Sequence, residues 1–154
     1  MSLSSLAIVK ELLEQHDIKP NRGLGQNFLV DIHPIKKLTD TAELTKKDVV
    51  LEIGSGVGVL TQAIAQIAHK VIAIEKDAKM VEILHGTLSQ LNNIEILHGD
   101  ALKLDTESQM PHTAYKLVAN LPYYITAPTI RKFLELENQP ESITLIIQKE
   151  VAQR

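Results

Sequence analysis

From Asp48 onward, short β-branched apolar runs alternate with helical stripes, and few folds accommodate that order. Residues 49–53, 70–75, 94–97, 115–119 and 143–147 each read as a strand. A helix is expected over 59–68. Val81, Leu84, Leu88 and Leu91 form a second helical stripe, and Ile130, Phe133 and Leu134 mark a third. The strand runs are apolar at consecutive positions, so both of their faces are expected to be covered. This predicts an α/β fold with a doubly wound, Rossmann-like parallel sheet. Ahead of it, Leu6, Val9, Leu12 and Leu13 predict an amphipathic helix over 4–15. The stretch 19–27 is too rich in glycine, proline and asparagine to stay helical. Ile32, Ile35 and Leu38 then predict a short second helix, capped by Asp31.

A chain of 154 residues with 44% hydrophobic and 23% charged residues suits one globular domain. It holds no run of ~18 apolar residues, so no membrane span is expected. With no cysteine, disulfides and thiolate metal sites are excluded. The six histidines show no metal-ligand spacing, so no metal is expected. The first residues lack the basic flank and apolar core of a secretion signal; the absence of cysteine fits the cytoplasm, and the protein is expected to be monomeric. Net charge is −3, whereas a protein that grips nucleic acid by charge alone should be basic. Lys19, Arg22, Lys36 and Lys37 against Asp31 give only a small local excess. The strand at 143–147 is apolar enough to belong inside a sheet rather than at its edge. The sheet is therefore expected to lack its last strands in these residues.

The candidate chemistry begins where the first strand ends, at Glu52-Ile53-Gly54-Ser55-Gly56-Val57-Gly58. A dinucleotide loop needs Gly-x-Gly-x-x-Gly so that pyrophosphate can sit on the helix N-terminus. Val59 and Thr61 stand where that pattern requires its last glycine, which argues against a nicotinamide dehydrogenase. An anionic Glu52 would repel pyrophosphate and tolerate a cationic ligand. Glu75 ends the second strand at about the 20-residue offset where a carboxylate meets ribose hydroxyls. Asp100 follows the third strand and is placed to accept from an adenine amino group. Gly54, Gly56, Glu75 and Asp100 thus predict a nucleoside-bearing cofactor without phosphate, which points to S-adenosylmethionine.

After the fourth strand comes Asn120-Leu121-Pro122-Tyr123-Tyr124, which holds two of the five aromatic residues. A polar side chain beside an aromatic ring at a sheet mouth can hold a flat base. Acceptors at the Asn120 side chain and the Leu121 carbonyl would draw an adenine amine toward a tetrahedral, nucleophilic shape. The transfer itself would then depend on positioning rather than on a strong base.

Together these motifs resemble the ribosomal RNA adenine N6-dimethyltransferases. Gly25-Gln26-Asn27-Phe28-Leu29 is similar to the family's N-terminal signature, and 148–152 to its segment after the fifth strand. The resemblance implies that Asn27, Leu29, Gly54, Gly56, Glu75, Asp100 and Asn120 bind the cofactor. It implies catalysis by the turn Asn120, Leu121, Pro122 and Tyr123, with Tyr123 stacked on the target base. Residues 1–154 would form the methyltransferase domain, incomplete at its C-terminus, with 1–45 as a helical cap and cofactor-closing segment. Leu121 and the Tyr123-Tyr124 pair look like the branch that dimethylates two adjacent adenines near the 3′ end of small-subunit RNA. Its partner would be that RNA or the immature small subunit. Family members continue into further strands and a helical domain, so this chain alone is expected to bind cofactor but methylate weakly. The rival readings are a macrolide-resistance large-subunit methylase, a DNA adenine or protein-amide methyltransferase, and a non-catalytic RNA- or ribosome-binding factor.

Overall fold

A computed structural model describes Leu3 and residues 5–19, 32–110 and 113–153. Five parallel strands, β1 (Val49–Ile53), β2 (Lys70–Glu75), β3 (Ile94–His98), β4 (Lys116–Asn120) and β5 (Ser142–Ile146), form one sheet. Their order is β3-β2-β1-β4-β5. The connections run outward from β1 in one direction, then resume at β4 on its other side. A crevice therefore opens above the β1–β4 boundary at the C-terminal rim, where open α/β sheets take ligands.

Side-chain alternation along the strands splits the core into two layers. Val50, Val71 and Val118 face one layer, which is closed by α1 (Leu6–Gln15), α2 (Ile32–Thr41), α3 (Val59–Ile67) and α4 (Ala78–Thr87). Leu51, Ile53, Ile72, Ile74, Leu117 and Ala119 face the other. That layer is covered by Met110, Tyr115 and Phe133, from the β3–β4 connection and from α6 (Thr126–Glu135). The connection includes the single-turn α5 (Thr106–Gln109), and a short α7 (Lys149–Ala152) follows β5. The Tyr115 hydroxyl donates to the Asn138 carbonyl at 2.9 Å, fastening the connection to the end of α6.

All five strands lie where the apolar runs place them. The stripe through Leu91 does not stay helical, however, because α4 ends at Thr87. There the Thr87 hydroxyl donates back to the Ile83 carbonyl and Ser89 to that of Gly86, hydrogen bonds that compete with the helix ladder. Coverage on both faces holds for β1, β2 and β4, whereas β3 and β5 are half-buried edges. Among the described residues β5 has β4 as its sole strand neighbour, so its apolar character is not met by a second strand. The Asp31 cap expected for α2 lies outside the described residues. No helix among the described residues is long and apolar enough to cross a membrane.

Candidate active site

A cavity of about 470 Å³ opens at the C-terminal rim, within the ~300–1,000 Å³ range of cofactor clefts. The loop after β1 forms its floor. Gly54 has φ +74°, a backbone region that side-chain-bearing residues seldom adopt, and its N–H donates to the Ile74 carbonyl at 2.8 Å. A Cβ added there would meet nothing within 4 Å. Conformation, not crowding, therefore demands glycine at this position. Gly58 adds crowding to the same conformational demand. At φ +93°, a Cβ would lie 2.9 Å from Leu84 Cδ2 and 3.1 Å from Leu88 Cδ1, so glycine lets α3 and α4 pack closely. Val59 and Thr61, the residues that break a dinucleotide pattern, are both buried.

Glu75 ends β2 and is held at both oxygens. Its Oε2 accepts the Gly56 N–H at 2.8 Å and its Oε1 accepts the Asp77 N–H at 2.9 Å. Each oxygen keeps a further lone pair for a hydroxyl donor. Asp100 Oδ1 accepts the Leu102 N–H at 3.0 Å, and its Oδ2 pairs with Lys76 Nζ at 3.1 Å. The Leu102 N–H, followed by the Lys76 ammonium, holds the Asp100 carboxyl below the usual carboxylate range.

Glu52 departs from its expected role as a plain anion. Strand alternation turns it to the same face as Val50, toward α3, beside the small Ala73 and Val118 of neighbouring strands. It is 1% exposed, and neither carboxyl oxygen has a hydrogen-bond partner among the described residues. Burial pushes its pKa up to about 7, reinforced by the charge of Glu75. The nearby Thr61 and Ser55 hydroxyls oppose that shift without reaching full hydrogen-bonding geometry. Near neutrality Glu52 is thus divided between its neutral and ionised forms, and a cation in the cavity would favour the ionised one.

Asn120 closes β4 and leads through Leu121 and Pro122 into a 3-10 turn, Tyr123–Ile125. The Ile125 N–H and the Thr126 hydroxyl both donate to the Pro122 carbonyl, at 3.2 Å each. These bonds fold the turn back over the start of α6. Asn120, Pro122, Tyr124 and Ile125 line the cavity, and the Leu121 side chain is buried in the core. Tyr123 is 56% exposed and lies outside the lining. Its ring meets Tyr124 edge to face, with centroids 5.6 Å apart.

The one cavity therefore collects Gly54, Gly56, Glu75, Asp100, Asn120 and Pro122, drawn from the ends of four strands. Leu121 and Tyr123 flank it, while Asn27 and Leu29 lie outside the described residues. Sequence reasoning missed Lys76, Met80, Leu102 and Tyr124 in the lining. Lys76 follows Glu75 directly and could have been suspected from that adjacency. Met80 and Leu102 carry no signal short of the tertiary fold.

The profile described as ribosomal RNA adenine dimethylase matches residues 17–154. The chain belongs to this family. A small-subunit ribosomal RNA methyltransferase A from Listeria monocytogenes is 45% identical over 150 residues, which is 94% of this chain and 51% of that relative. The chain spans about half the length of the curated relatives it matches. Among solved structures, the 23S rRNA methyltransferase ErmE superposes with a TM-score of 0.73 at 32% identity. That match covers 82% of this chain and 50% of that one. A dimethyladenosine transferase from Plasmodium falciparum gives 0.69 at 33% identity, over 79% of this chain and 43% of that one. In this dimethylase family member the Asn120–Tyr124 turn forms part of the wall of the rim cavity, beside the glycine loop of the neighbouring strand β1.

Proposed function

We propose that this chain is the donor-binding, catalytic part of a cytoplasmic methyltransferase. It transfers methyl groups from S-adenosylmethionine to N6 of two adjacent adenines near the 3′ end of small-subunit ribosomal RNA. The observation that carries the reading is the charge of the cavity. Among its described lining residues, Glu75, Asp77 and Asp100 stand against the single cation Lys76, and a bound cation would draw the buried Glu52 to its ionised form as well. Such a lining suits a positively charged nucleoside far better than a pyrophosphate. Family membership and the 45% identity to a small-subunit enzyme support the RNA target and the branch.

The donor set fits the cofactor. The remaining lone pairs of Glu75 receive ribose hydroxyls, Asp100 receives the adenine amino group, and Met80 and Leu102 offer apolar surface to the ring. When bound, S-adenosylmethionine supplies a methyl group activated by its sulfonium. The Asn120 side-chain oxygen and the Leu121 carbonyl accept the two N–H bonds of the target amine, directing its lone pair into the cavity. Tyr123, whose ring meets Tyr124 edge to face, supplies the stacking surface, worth roughly 1–3 kcal/mol per base. Tyr123, exposed at the cavity mouth, meets an unpaired or flipped-out base as it enters. Asn27 and Leu29 contribute to donor binding from the N-terminal segment.

Methyl transfer to small ribosomal subunits lacking the modification tests this directly. After digestion, N6,N6-dimethyladenosine should appear, at a low rate for this chain alone, and unlabelled RNA should compete where DNA does not. Donor binding without any methylated adenosine would favour a non-catalytic ribosome-binding factor.

A further inference from the structure

Lys132 lies in the last turn of α6, outside every motif discussed above, yet its ammonium spans two walls of the site. Its Nζ donates to the Ala101 carbonyl at 2.7 Å and to the Leu104 carbonyl at 2.6 Å. Both carbonyls belong to the tight turn that begins at Asp100. In that turn Lys103 and Leu104 donate their N–H groups to the Asp100 carbonyl, at 2.9 Å each, and Leu102 donates to the Asp100 side chain. The turn thus carries Asp100 and Leu102 on its cavity side and presents its carbonyls to Lys132. On the same helix, one turn earlier, Thr129 lines the cavity, and Ile125 lines it just before the helix begins. The Lys132 ammonium also lies 5.9 Å from the Phe133 ring centroid, over the buried layer. The chain is tied a second time nearby, where Glu107 Oε1 accepts the Glu137 N–H at 2.7 Å. That tie lies farther along the chain from Asp100, so of the two contacts with the α6 region it is Lys132 that reaches the turn itself.

We propose that Lys132 is a positioning residue: its ammonium clamps the Asp100–Leu104 turn to α6 and so sets the carboxylate that receives the donor's adenine. The inference rests on the donor assignment made above for Asp100. A cation suits this position because it donates to two carbonyls at once and faces the charges of Asp100 and Asp105, which offset part of its burial. Without the ammonium the Ala101 carbonyl loses this donor, the Leu104 carbonyl keeps only the Thr106 N–H at 3.0 Å, and the turn can drift from α6. The Asn120 turn, which is built on β4 and Pro122, stays in place. Lys132 therefore acts on donor affinity and not on the transfer step.

Titration calorimetry with S-adenosylmethionine on wild type, Lys132→Met, Lys132→Arg, Asp100→Asn and the Lys132→Met/Asp100→Asn pair tests this. Lys132→Met keeps the aliphatic stem and should weaken donor binding about tenfold, the scale of one lost charge-assisted hydrogen bond. Lys132→Arg should recover most of that loss. The paired variant should bind little worse than Asp100→Asn alone, because both changes act through one carboxylate. Lys70→Met, which removes the exposed pair with Glu95 at the opposite end of the sheet, serves as the unaffected control. Binding by Lys132→Met within twofold of wild type would overturn the proposal, as would losses in the paired variant that simply multiply. Should Lys132→Met not fold, Lys132→Arg decides. Donor affinity within about threefold of wild type supports the clamp; a loss as deep as that of Asp100→Asn overturns it. No binding by wild type would instead remove the donor reading itself.

Discussion

Glu75 Oε2 accepts the Gly56 N–H at 2.8 Å, so the end of β2 is fastened to the glycine loop that follows β1. With Oε1 taking the Asp77 N–H, one carboxylate organises the loop on one side and the start of α4 on the other. The residue assigned to the ribose is therefore also a structural tie, and its replacement should be felt in both roles.

Glu75→Gln places an amide NH₂ where one of two backbone N–H donors now finds an acceptor. The substitution should lower unfolding free energy by about 1–3 kcal/mol, the scale of a buried donor left unpaired. Donor affinity should fall with it. Chemical denaturation alongside calorimetry checks both; unchanged stability would mean that the loop is held by other contacts.

The pH dependence of stability isolates Glu52. Its folded pKa of about 7 lies above the ordinary glutamate value of 4.5, so the folded state binds the proton more tightly than the unfolded chain. The resulting stabilisation is complete below pH ~4.5 and is lost as pH rises toward 7, on the order of 3 kcal/mol in all. Glu52→Gln removes this dependence. The stability difference between variant and wild type should therefore widen in the variant's favour between pH 5 and 8. A constant difference across that range would place the Glu52 titration elsewhere.

Asn120→Ala should separate chemistry from donor binding. Losing an acceptor aimed at the reacting amine should lower kcat by about 10²-fold or more, by analogy with lost transition-state hydrogen bonds. Donor affinity should fall much less, because Glu75 and Asp100 remain. Single-turnover methyl transfer and calorimetry on the same preparation measure the two effects. Equal losses in both would make Asn120 a cofactor ligand first.

The strands were legible because Val, Ile and Leu cluster in runs of the right length, and their order alone predicts the sheet that is observed. The acids at the strand ends were legible too, because Glu75 closes β2 and Asp100 lies two residues beyond β3. The tertiary contacts were not. Lys132 reaches a turn some thirty positions earlier in the chain, Met80 joins the lining from α4, and no local pattern encodes either. Glu52 was read as an anion because a sequence displays charge but not burial. Its shifted pKa follows from strand parity, which turns it under α3. The Tyr123-Tyr124 pair was recognised as an aromatic step, but only the 3-10 turn decides that Tyr124 lines the cavity while Tyr123 stays outside.

Titrating S-adenosylmethionine into wild-type protein and into Asp100→Ala at pH 7.5 tests the central claim most directly. Wild type should bind one equivalent, and the variant should bind at least tenfold more weakly, since it loses a charge-assisted hydrogen bond to the adenine. Wild-type protein that takes up no donor, or an alanine variant that binds equally well, would contradict the assignment of this cavity.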